Sequence, residues 1–99
     1  MLETGEMHTM PYPRDEQEFS AGLAAFTEKA HEYIENMHDL QAKRFALRYT
    51  VYLQAKARGI PHSEPGAEAG LSGPDRSLIR IFLRKLYDAH LKRIRRRAS

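Results

Sequence analysis

FSAGLAAFTEKAHEYIENMHDL, residues 19–40, carries apolar side chains at Phe19, Leu23, Phe26, Ala30, Tyr33, Met37 and Leu40, alternately four and three apart. That alternation keeps one stripe of an α-helix facing one way and is the spacing of a coiled-coil seam. A half-buried strand would need period two, and no stretch of this chain alternates that way over a useful length. The acids Asp15, Glu16 and Glu18 precede the seam, where carboxylates favour the positive end of a helix macrodipole. The spacing therefore predicts a first helix over residues 15–37.

Beyond Leu40 the seam meets Arg44 and resumes at Leu47 and Val51, while Phe45, Tyr49 and Tyr52 mark a rotated apolar face. A change of face predicts a new helix over 39–58, with Asp39 as its N-cap. One uninterrupted helix from 15 to 58 would be about 66 Å long, too long for a single partner helix to cover within one subunit. That alternative demands a long-helix dimer. Gly59, followed by Ile60 and Pro61, has the order of a Schellman stop: glycine in the left-handed conformation, an apolar residue, then proline.

Residues 60–73 hold Pro61, Pro65, Gly66, Gly70 and Gly73 and read as a loop, of a length that is often functional or mobile. Ser72 then caps a helix predicted over 74–96. Ile79, Phe82, Leu83, Leu86, Tyr87, His90, Leu91 and Ile94 form its apolar stripe. Leu78 and Ile81 lie off that stripe, so the first half of the helix is expected to sit centrally. The fold class is all-α: a small three-helix bundle as one domain over 15–99, preceded by a flexible acidic arm over 1–14.

Composition narrows the chemistry. Cysteine is absent, which excludes disulfides, thiolate zinc sites and a cysteine nucleophile. No run of about 18 apolar residues exists to form a membrane span, and the acidic, polar N-terminus lacks the pattern of a secretory signal; a cytoplasmic location is expected. Glycine-rich phosphate loops and Gly-x-Ser-x-Gly elbows are missing, so the chain is expected to be no enzyme and to need no cofactor.

Two Glu-x-x-His units, Glu28/His31 and Glu35/His38, match a motif that di-iron bundles use. In the heptad set by Leu23, Ala30 and Met37 they occupy positions turned away from the seam, so a solvated face is expected and no metal site. A helix-turn-helix centred on Gly70-Leu71-Ser72 fails because Pro65 and Gly66 fall where its first helix belongs. Arg76 also stands where an inward apolar residue is usual.

Charge is the feature that bears on function. Residues 1–40 hold nine acids against two bases, and residues 75–99 hold nine bases against two acids, so a formal charge of +3 conceals two opposed halves. Five of the six residues from Lys92 to Arg97 are basic, denser than a helix C-terminus needs for its dipole. Guanidinium forks grip phosphate oxygens bidentately and stay charged. The expected function is non-enzymatic binding of nucleic acid, DNA or RNA, by Arg84, Lys85, Lys92, Arg93, Arg95, Arg96 and Arg97. Lys43, Arg44 and Arg48 could extend that surface, and Tyr49, Tyr52 and Tyr87 could stack on bases or pack in the core.

Two alternatives stand beside this reading. Glu28, Glu32 and Glu35 could face Arg80, Arg84 and Lys85 across an antiparallel helix pair and neutralise them. The chain could also be a regulatory adaptor that meets an acidic protein or a second copy of itself, self-associating through the Phe19–Leu40 seam.

Overall fold

The chain turns where the seam predicts it should. In the computed structural model, which describes residues 12–92 and side chains from 16 to 91, helix α1 (Tyr12–Glu35) ends just before the expected break. Helix α2 (Leu40–Ala57) starts after Asp39, whose Oδ1 accepts from the amides of Gln41 (2.9 Å) and Ala42 (3.4 Å). Two of the free donors at the helix start are satisfied in this way. The backbone therefore follows the three-helix reading rather than the continuous one. Helix α1 begins at Tyr12, inside the stretch expected to be an arm; residues 1–11 lie outside the described residues.

Helix α2 stops as Gly59 predicts. Gly59 has φ +72°, its amide donates to Lys56 O (3.1 Å), and the Ile60 amide donates to Ala55 O (2.9 Å). These are the two bonds of a Schellman motif. Helix α3 (Gly73–Tyr87) opens on Ser72, whose Oγ accepts from the Asp75 amide at 3.2 Å.

A π-helical segment, Asp88–Lys92, follows α3 directly. An α-helix advances about 100° per residue, so Leu83, Tyr87 and Leu91 would drift about 40° at each four-residue step. The wider π turn winds less per residue and returns Leu91 to the core, where it is fully buried. The helix expected through residue 96 is thus α-helical only to Tyr87, and 93–96 lie outside the described residues.

All three helices contribute to one core: Leu23, Phe26, Ala30 and Ile34 from α1, Phe45, Ala46, Tyr49 and Leu53 from α2, Ile79, Leu83 and Tyr87 from α3. The Phe26 and Tyr87 rings meet edge to face at 5.9 Å, and Tyr33 lies against Phe82 at 4.1 Å. Residues that ascend α1 thus meet residues that descend α3, so the two helices run antiparallel. Most of the Phe19–Leu40 seam is consumed inside the subunit, and only Leu40 at its end is well exposed. Thr50, the buried polar residue, donates its hydroxyl to Ala46 O at 2.8 Å. Among the described residues no helix is long and apolar enough to cross a membrane.

One expectation fails. The first half of α3 is not central: Leu78 (66% exposed), Ile81 (48%) and Phe82 (40%) look outward. A helix apolar nearly all round is buried only if neighbours cover every side, and three helices leave each one an open flank.

The long loop is present as read, and its course is that of a strap laid back along α2. His62 sits against Tyr52, Glu64 accepts from the Tyr49 hydroxyl (2.5 Å), and Glu68 pairs with Arg44 and Arg48. Gly70 (φ +80°) then passes so close to Gln41 that an added Cβ would stand 2.9 Å from its Cγ. Leu71 enters the core at the end of the strap.

Candidate nucleic-acid interface

Each helix carries its charges on its outer face, and the fold sorts them by helix. Helix α1 holds six acids against two bases, while α2 holds four bases and no acid. From Gly73 to Lys92 there are five bases against Asp75 and Asp88.

Arg84 and Lys85 lie in the last turn of α3, both exposed, where cations oppose the negative end of the helix dipole. Arg76, Arg80 and Arg84 form one i, i+4 ridge, and Lys85 is turned about 100° from Arg84. Lys92 ends the π segment. Its side chain, and Arg93, Arg95, Arg96 and Arg97, lie outside the described residues, so the structure brings together only the inner part of the expected surface.

The antiparallel neutralisation considered above does not occur among the described residues. Their ion pairs are Lys29–Glu32 (3.8 Å) within α1, Arg44–Glu68 (3.8 Å) and Arg48–Glu68. None joins Glu28, Glu32 or Glu35 of α1 to a base of α3. Those three acids of α1 turn the other way instead. Glu28, His31, Glu32 and Glu35 line an open groove of about 780 Å³ against Gln54 of α2 and Arg58 at its C-terminal end, bridged by a Gln54–Thr27 hydrogen bond of 2.9 Å.

Both Glu-x-x-His units are exposed, and Glu28, His31 and Glu35 of them line this groove. Among the described residues no three His, Asp or Glu side chains converge as metal ligands would.

The extension through α2 needs revising. Arg44 and Arg48 share Glu68, a carboxylate only 7% exposed, whereas the arginines themselves keep 64% and 52% of their side-chain surface. Half-exposed guanidiniums around a shielded acid are already partly neutralised. Nothing in local sequence pattern marks Glu64 and Glu68 for these roles; their spacing of four inside a Gly/Pro-rich stretch is the only hint.

The tyrosines are core residues rather than a stacking platform. Tyr49 and Tyr87 are buried, and Tyr52 is half-buried between Tyr49 and His62. Burial, reinforced by the hydrogen bond to Glu64, pushes the Tyr49 hydroxyl well above the ordinary tyrosine range, and burial also raises Tyr33. What this surface offers an anion is charge, with none of Tyr49, Tyr52 and Tyr87 free to stack beside its cations. Comparison of the chain with protein-family models, curated proteins and solved structures finds no match.

Proposed function

We propose that this three-helix bundle is a non-enzymatic protein that binds nucleic-acid phosphates through the cationic face of α3 and the basic residues that follow it. The observation that carries the reading concerns three acids of α1: Glu28, Glu32 and Glu35 lie toward α2, and Arg80, Arg84 and Lys85 have no ion pair among the described residues. The sequence then continues with Lys92, Arg93, Arg95, Arg96 and Arg97. An acidic α1 also orients the molecule, since a polyanion attracts one side and repels the other. The tyrosines' commitment to the core supports contact with backbone rather than bases, and hence little sequence preference.

The test is fluorescence-anisotropy titration with duplex DNA, single-stranded DNA and RNA of equal length at several salt concentrations. Binding should fall steeply with salt as counterions are released, by about 0.9 in log–log slope for each duplex phosphate neutralised. Changing Arg93, Arg95, Arg96 and Arg97 to alanine should flatten that slope by up to about 3.6 units while helicity stays unchanged. Equal affinity and slope after those four changes would remove the tail from the interface. A protein partner is the second reading, favoured by the uncovered apolar side chains of α3.

A further inference from the structure

Leu78, Ile81 and Phe82 stand at i, i+3 and i+4 on the outer face of α3, all at least 40% exposed. Leu78 and Phe82 belong to a longer stripe, Asp75, Leu78, Phe82, Lys85 and Ala89, spaced three, four, three and four, with Ile81 beside it. That is a second coiled-coil seam, and it faces water. Phe82 is held in place by the Tyr33 ring behind it, so the face is preformed.

We propose that this seam is a homodimer interface in which α3 packs antiparallel on α3 of a second copy. In antiparallel helix pairs, residues of one heptad core position meet those of the other. Centring the two-fold axis between Leu78 and Phe82 puts Leu78 on Phe82 of the second copy, and Asp75 on Lys85 of the second copy. Symmetry repeats each contact, as an isologous interface requires. Ile81 flanks the axis beside its own counterpart. The apolar layers are thus central, and each end is closed by opposite charges. Asp75 and Lys85 are exposed, with no ion pair to either among the described residues. Arg80 and Arg84 each lie two residues from Phe82, about 200° around the helix, and point away from the second copy.

The charge register is what selects a copy of this chain as the occupant. Helix α2 offers a control, because Leu40, Arg44, Leu47, Val51, Gln54 and Arg58 show the same alternation and are also mostly exposed. Antiparallel pairing there would set Leu47 on Val51 but Arg44 on Gln54 and Leu40 on Arg58. No acid of α2 answers its four bases, so two copies would repel. Of these two seams, the one on α3 is complementary to itself. A contact of about three helical turns per copy sits at the small end of specific interfaces, so the dimer is weak and forms reversibly. In it Lys85 faces Asp75 of the second copy, while the two cationic ridges stay outward, giving a polyanion two points of attachment.

Sedimentation equilibrium of the full chain, from about 5 µM to about 500 µM, tests this without any ligand. The wild type should show a monomer–dimer equilibrium, and Leu78→Glu should remain monomeric at the highest concentration with unchanged helicity. Asp75→Lys and Lys85→Asp should each weaken dimerisation about tenfold, since each replaces two attractions by two repulsions. Mixing those two variants should restore association at wild-type strength, because the mixed pair regains both opposite-charge contacts. A wild type that stays monomeric, a dimer indifferent to Leu78→Glu, or a mixture no stronger than its components would each overturn the proposal.

Discussion

Replacing Glu68 with alanine removes the carboxylate that joins the strap to two arginines of α2, and the structure sets the size of the effect. The acid is 7% exposed, so its own interactions are little screened, but Arg48 and Arg44 keep 52% and 64% of their surface and regain water when released. A hydrogen bond to a charged group contributes about 1.5–3 kcal/mol, and the exposure of Arg48 places this one at the lower end. The Arg44 contact, at 3.8 Å and more exposed, adds a few tenths at most.

Glu68→Ala should therefore cost about 1.5 kcal/mol, a fall in Tm of about 6–12 °C for a domain of this size. Glu68→Gln, which keeps an acceptor, should lose about half as much. Urea unfolding at low and high salt is the assay, with the wild-type advantage shrinking as salt screens the exposed arginines. Tyr49→Phe removes the other tie, to Glu64, at a cost of about 1 kcal/mol. If the strap detaches as a unit, the double variant should fall short of the summed losses by about 0.5 kcal/mol or more. Exchange of the Leu71 amide, bonded to Glu68 O at 3.1 Å, should quicken in both single variants. A loss under about 0.3 kcal/mol for Glu68→Ala, or strict additivity, would refute the picture of a strap held cooperatively by its carboxylates.

Two further outcomes test the core. Phe26→Ala empties a fully buried site that touches Tyr87 edge to face, and should cost about 3–5 kcal/mol in chemical denaturation. A loss below about 1.5 kcal/mol would mean that α1 and α3 do not meet as described. The raised Tyr49 hydroxyl predicts a pH effect. Below the ordinary tyrosine value of 10.0, both folded and unfolded chains keep the proton and stability is unaffected. Above it the unfolded chain loses the proton first, so stability should fall with rising pH. Ultraviolet difference titration should show Tyr33 and Tyr49 ionising late, and Tyr49→Phe should remove one of these late ionisations together with its share of the alkaline loss.

Sequence and tertiary structure divide along a physical line. Helix number, the break near residue 36, the caps at Asp39 and Ser72 and the stop at Gly59 were legible because each depends on residues within a few positions of one another. Periodicity, capping bonds and glycine's left-handed freedom act over one or two turns, and no distant neighbour is needed to read them. The segregation of charge was legible in the same way, and with it the candidate residues Arg84, Lys85 and the tail.

Which face of a helix is covered belongs to the tertiary structure. Helix α2 carries two apolar faces, and the packing buries Phe45, Tyr49 and Leu53 while leaving Leu47 and Val51 outside. Helix α3 is apolar nearly all round, so its pattern could not say that Leu78, Ile81 and Phe82 would remain uncovered. Glu64 and Glu68 met Tyr49 and Arg48 across 15 and 20 residues of chain, through a strap whose course its own composition does not encode. Local rules state what a helix can bury, and only the positions of the other helices decide which of those surfaces water keeps.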